Sequence, residues 1–195
     1  MEAEGHRPRA TELTDLQLRG RLRLLARARQ ASRNEVNATD MTDEDYAKAV
    51  QDHLCGFDRH IGIEILEATA THVHAQLTIT AQHLQIHNVV HGGVYSSLVE
   101  TAGSIGAALA ARAMGRTIVG IDNHTSFLRA TGQGVLHVEA EPLIVGRRTQ
   151  VWNSRVINDQ GQLVATGQLR LLCIDAGSLP HAGTSEAGSP FRIDR

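Results

Sequence analysis

Between His91 and Met114 the chain reads HGGVYSSLVETAGSIGAALAARAM, 24 residues in which Glu100 is the only acidic side chain. The stretch has helix-forming length, is rich in small and apolar residues, and is closed by Gly115. Apolar side chains lie on almost every face of such a helix, so most of the surrounding chain must fold around it. A carboxylate inside that apolar run is costly to bury as an anion unless something pairs with it or uses it. The run opens with His91-Gly92-Gly93, where the first backbone N–H groups of a helix have no intrahelical partner and suit a developing negative charge. A donor-rich helix mouth and a carboxylate on one helix are the parts an acyl-transfer site needs.

Helix geometry then separates these parts. Gly92 and Glu100 are eight residues apart, a rise of about 12 Å. One carbonyl cannot lie within about 3 Å of both groups of the same chain. His91 and Glu100, nine residues apart, point to opposite sides of the helix, about 180° apart. If both ends of the helix serve one reaction, they come from two copies of the chain. The spacing therefore predicts a dimer with its sites at the interface.

The flanking sequence supplies the sheet. Asp43 to Leu54 suggests a short helix ended by Gly56. Ile61 to Thr69 and His72 to Thr80 alternate apolar and polar residues, as strands do. Ala81 to Val90 reads as a loop. After Gly115 come four more strand-like runs, Thr117 to Arg129, Gly134 to Val145, Thr149 to Ile157 and Leu163 to Ile174. Turn signals at Gly132-Gln133-Gly134 and Asn158-Asp159-Gln160-Gly161 separate them. Pro142 marks an edge or a bulge within its run. Short connections imply an antiparallel meander, and with the long helix this is an α+β architecture whose sheet wraps around one central helix. Residues 1–40 form an N-terminal extension holding eight of the 18 arginines, with Leu18, Leu22 and Leu25 at the spacing of an amphipathic helix with a basic face. Residues 41–175 form the domain, and 176–195 are a Gly/Ser/Pro-rich tail expected to be disordered.

Composition narrows the function classes. The net charge is −2, which gives no reason to expect nucleic acid as a partner. The two cysteines, Cys55 and Cys173, form no disulfide scaffold and fit packing roles in a cytoplasmic, reducing setting. The 91–114 run is long enough to span a bilayer, but Glu100, Arg112 and the Gly/Ser content indicate a buried helix rather than a membrane span. His83, His87 and His91 recur every four residues near His72 and His74. The segment reads as loop, and no metal site is expected. Asn123 and His124 are adjacent on one strand, so at most one of them faces the helix.

The segment Gln85-Ile86-His87-Asn88-Val89-Val90-His91-Gly92-Gly93, followed by Glu100 and Ser104, resembles the hotdog-fold acyl-CoA thioesterases, in particular the phenylacetate-degradation-type and hydroxybenzoyl-CoA-thioesterase-like branch. That family has an amide residue six before the His of HGG, an acid nine after it, and a Ser or Thr four further on. All three spacings fit. Phe127-Leu128-Arg129 and Gly146-Arg147-Arg148-Thr149 add weaker matches. The resemblance covers residues 50–174 and implies a hotdog fold. It implies that Glu100 acts as nucleophile or as base for water, and that the Gly92 N–H polarises the thioester carbonyl. It implies further that Gln85 orients the thioester or the water, that His91 lies beside the carbonyl or shapes the turn, and that Ser104 holds the water or the carboxylate. Gly93, Asn88, Asn123, Arg147 and Arg148 are the expected contacts to substrate, the arginines to the phosphates of coenzyme A. No cofactor is implied, since coenzyme A is part of the substrate. The expected partners are an acyl-CoA and a second copy of the chain, arranged as a dimer of dimers. A non-catalytic acyl-CoA sensor is the second class, prompted by the basic N-terminal extension. A hotdog hydratase is the third, and the sequence lacks the His–acid arrangement for it.

Overall fold

The computed structural model describes residues 43–176 and 178. The amphipathic helix expected around Leu18, Leu22 and Leu25, and most of the C-terminal tail, lie outside the described residues.

The described elements run α1 (Asp43–His53), α2 (Gly56–Ile61), β1 (Ile63–Ala68), β2 (Val73–Thr78), a 3₁₀ turn (Ala81–His83), α3 (Gly92–Arg112), β3 (Arg116–Phe127), β4 (Val135–Val145), β5 (Thr149–Asn158) and β6 (Leu163–Asp175). All strand pairs are antiparallel, in the order β1-β2-β4-β5-β6-β3. The helix α3 contacts every one of these strands. This is the hotdog arrangement, with one sheet around one central helix.

The alternating patterns of β1 and β2 place Ile63, Val73, Ala75 and Leu77 in the core and leave the intervening polar residues outward. α3 is packed closely because its sheet-facing residues are small. A Cβ added at Gly106 would stand 2.4 Å from the indole of Trp152, and one at Gly103 would stand 2.8 Å from Leu169. On the opposing strand, a Cβ at Gly167 would meet Val99 at 2.6 Å. The helix and sheet backbones therefore approach as closely as glycine allows. Trp152 and Gln150 are fully buried. The indole N–H donates to Gln150 Oε1 at 2.9 Å, and Gln150 Nε2 donates to the Ala107 carbonyl at 3.0 Å. The buried Gln150 amide is thus satisfied at both ends.

Three details refine the reading of the sequence. Gly56 does not simply end the first helix, because it opens a second, six-residue helix at φ 54°. That helix is too short to show a helical period. It closes on Gly62, which is left-handed at φ 73°. Pro142 sits at a bulge, where the β4–β5 register shifts between Pro142 and Ile144, past the last residue that pairs with β2. Its missing N–H therefore costs no bond to β2. Cys173 packs in the interior as expected, while Cys55 is exposed.

Candidate active site

α3 does not bury every face. Its sheet side is closed, but Ser96, Ser97, Glu100 and Ser104 stay half-exposed in a single stripe. Glu100 is therefore not sunk in the core, as its apolar neighbours suggested. Spacings of three and four residues set it on the flank of the helix that turns toward β3. There it lines an open cleft of about 410 Å³ with Phe57, Asp58, Ser96, Ser97, Thr101, Ser104 and Asn123.

Two side chains engage the Glu100 carboxylate. Asn123 Nδ2 donates to Oε2 at 2.9 Å, and Ser104 Oγ lies 3.4 Å from Oε1. Of the adjacent pair on β3, Asn123 is thus the residue that faces the helix, while His124 points to the outer surface of the sheet. Gly120 on the same strand makes room, since a Cβ there would stand 3.0 Å from Glu100 Oε1. The register of β3 against β6 slips between Gly120 and Asp122, and this bulge re-aims the strand beside the carboxylate. Below Glu100, Thr101 Oγ1 donates to Asp58 Oδ1 at 2.6 Å and ties α2 to α3. Phe57 on α2 is 61% exposed and presents an apolar ring to the cleft.

The other end of α3 is a separate structure. His91 is the N-cap, and its Nδ1 accepts the Gly93 N–H at 2.9 Å. Gly92 is the first helical residue, so its N–H has no carbonyl to bond within the helix. The Phe127 ring covers Gly92 closely enough that a Cβ would meet it at 2.8 Å. Gln85 belongs to the tight loop before the helix. Its Oε1 accepts the His87 N–H at 2.8 Å, and its carbonyl accepts the Asn88 N–H at 2.9 Å. Asn88 takes a left-handed conformation, φ 58°, to close that turn. Arg147 and Arg148 are exposed on the β4–β5 turn, away from the residues that line the Glu100 cleft.

Within one protomer the structure therefore brings together Glu100, Ser104 and Asn123. It holds Gln85, Asn88, His91, Gly92 and Gly93 as a second group outside that cleft. Of the loop histidines, His83 is buried, with Nδ1 accepting the Thr80 N–H and Nε2 bonded to the Ile61 carbonyl, each at 2.9 Å. Among the described residues no group of three or more His, Cys, Asp or Glu is placed to hold a metal ion. No helix among them is long and apolar enough to cross a membrane. Phe57, Asp58, Thr101 and Gly120 went unmarked in the sequence. A six-residue helix and a bulge glycine carry no periodic signal, and only the fold brings them to Glu100.

The thioesterase superfamily model matches residues 87–165. The chain is 37% identical over 122 residues to Rv1847 of Mycobacterium tuberculosis (strain H37Rv), covering 62% of this chain and 87% of that protein. It is 31% identical over 110 residues to the proofreading thioesterase EntH of Cronobacter turicensis, covering 56% of this chain and 80% of that one. Among solved structures, the thioesterase HI1161 from Haemophilus influenzae superposes with a TM-score of 0.63 at 28% identity, covering 74% of this chain and 97% of that one. The chain belongs to the thioesterase superfamily, and it is a thioester hydrolase of the hotdog fold.

Proposed function

We propose that this protein hydrolyses an acyl- or aryl-CoA thioester to a carboxylic acid and free coenzyme A, in a site shared by two protomers. The observation that carries this is the position of Glu100. It is fixed at the mouth of an open cleft beside β3, the strand that ends the sheet. Among the described residues the outer edge of β3 has no strand partner, and β3 carries Val119 and Ile121 at 36% and 53% exposure. An unpaired, apolar edge strand is a template for a second copy. A second protomer seated there would bring its own helix mouth, with the unbonded Gly92 N–H, toward the first protomer's Glu100. That is the separation the eight-residue spacing requires.

In this reading the Gly92 N–H donates a hydrogen bond to the developing oxyanion. Glu100 either attacks the thioester carbon directly, expelling the coenzyme A thiolate and leaving a mixed anhydride that water then hydrolyses, or draws a proton from the attacking water. In the water route, hydroxide adds to the carbonyl and the tetrahedral oxyanion rests on the Gly92 N–H. Collapse then expels the coenzyme A sulfur, which takes up the proton that Glu100 received. Thiolate is a good leaving group, so no stronger acid is called for. Ser104 holds the carboxylate or the water, while Gln85 and His91 belong to the partner's half of the site. Arg147 and Arg148 are proposed to meet phosphates of the coenzyme A. The setting is cytoplasmic and the assembly a dimer of dimers.

The test is thiol release from a panel of short, long and aromatic acyl-CoAs by wild type and Glu100→Gln. The expected result is turnover of at least one class, with kcat lowered by about 10²–10⁴ in the variant and the oligomer unchanged. Wild-type turnover by Glu100→Gln would overturn the assignment of the carboxylate. Tight binding of acyl-CoA with no turnover of any would place the protein among sensors instead.

A further inference from the structure

Every hydrogen-bonding atom of the Asn123 side chain is committed. Its Nδ2 donates twice, to Glu100 Oε2 at 2.9 Å and to the Ser96 carbonyl at 3.1 Å. Its Oδ1 accepts the Thr125 hydroxyl at 2.7 Å. The three partners allow only one orientation of the amide. Turned over, it would set its oxygen against a carboxylate and a carbonyl, both of which can only accept. Asn123 and Thr125 are two apart on β3, so both face the helix. Ser96 and Glu100 are one helical turn apart on α3, so one amide bridges that turn.

We propose that Asn123 is a positioning residue for Glu100, and that Thr125 acts through it by fixing the amide. This differs from the substrate contact that the family resemblance suggested for Asn123. An amide whose two N–H groups already donate to a carbonyl and a carboxylate has no donor left for a ligand. Its contribution is to hold one rotamer of a long, half-exposed carboxylate. Oε2 takes the short amide bond, and Oε1, with only the longer Ser104 contact, is the oxygen left to react. The chain Thr125 to Asn123 to Glu100 lies within one protomer. The reacting carboxylate is therefore oriented before a second copy arrives. The inference rests on the reading of Glu100 as the reacting group.

The experiment measures kcat, KM and melting temperature for Asn123→Ala, Asn123→Asp, Thr125→Val and the Asn123→Ala/Thr125→Val double variant, with Glu100→Gln alongside. Losing a hydrogen bond to a charged group predicts a kcat lower by about 10- to 100-fold in Asn123→Ala, with KM within about twofold. Asn123→Asp keeps the size but sets a carboxylate against Glu100, so it falls below Asn123→Ala. Thr125→Val loses about 3- to 10-fold, and the double variant is no slower than Asn123→Ala, because the two residues act in series. Asn123→Asp matching or exceeding Asn123→Ala would overturn the proposal. So would losses that multiply in the double variant, or a raised KM at unchanged kcat. Should Asn123→Ala fail to fold, the nearly isosteric Thr125→Val carries the test, and wild-type kcat there refutes the relay. Glu100→Gln separates the two layers: if it keeps wild-type kcat, the underlying reading fails. If it is inactive while Asn123→Asp keeps wild-type kcat, only the positioning role fails.

Discussion

Gly92→Pro removes one hydrogen atom's worth of chemistry from this protein and little else. Gly92 is the first residue of α3, a position that proline favours because the missing N–H has no helical partner there. The preceding residue, His91, already has φ −64° and ψ 136°, inside the region that a following proline requires. The Gly93 N–H still bonds His91 Nδ1 at 2.9 Å, so the cap survives. The obstacle is Phe127, whose ring would lie 2.8 Å from the new Cβ against 3.4 Å for ordinary contact. The atoms in question are at the far end of a ring that is 57% exposed, and a shift of about 0.6 Å relieves them at little cost. Gly92→Ala imposes the same Cβ but keeps the N–H, so the ratio of the two variants isolates the donor. Losing an oxyanion donor costs about 10²–10³ in kcat, or roughly 2.7–4 kcal/mol. Thiol release under saturating acyl-CoA is the assay, with melting temperature and oligomeric mass as controls. Gly92→Pro turning over as fast as Gly92→Ala, with both folded, would refute the placement of the oxyanion on this N–H.

Two further perturbations probe the scaffold. Alanine ordinarily stabilises a helix interior relative to glycine, but at Gly106 its Cβ would stand 2.4 Å from the buried Trp152 ring. Gly106→Ala is therefore expected to lower stability by about 1–3 kcal/mol in denaturant titration, and a rise in midpoint would contradict the packing described. His74 lies 3.4 Å from His137 across β2 and β4. Burial, first, and then the neighbouring charges of His137 and His72 push its pKa below the ordinary histidine value, against the opposing pull of Glu139 and Glu67. The folded state then binds fewer protons at this site than the unfolded chain. Its contribution to stability is lost as pH falls below about 6.5. His74→Gln should flatten stability between pH 7 and 5 relative to wild type, and an unchanged slope would remove His74 from the account.

The long helix was readable because an apolar run of that length has few alternatives, and it ends at Arg112, two residues short of the reading at Met114. The six strands were readable from alternation and from glycine turns, and their bounds fall within a few residues of those inferred. What escaped was set by contacts between distant segments. Glu100 reads as buried because its sequence neighbours are apolar, yet the helix rotates it to the one flank that the sheet leaves open. Whether Asn123 or His124 faces inward depends on a bulge at Gly120–Asp122, and a bulge resets strand parity without a sequence mark. Asp58 and Phe57 enter the cleft only because α2 folds onto α3 through a bond from Thr101 to a residue 43 positions away. The separation of Gly92 from Glu100, by contrast, follows from helical rise alone and needed no coordinates.

In the proposed reaction each site takes its carboxylate from one protomer and its oxyanion donor from another. Hybrid oligomers test it directly. Glu100→Gln and Gly92→Pro chains carrying different affinity tags are co-expressed, and the hybrids are purified through both tags and assayed for thiol release. Each hybrid pair then has one site with both groups intact and one with neither, so activity returns to about half that of wild type from two parents near background. Hybrids that remain as inactive as their parents would contradict the shared site and return both groups to a single chain.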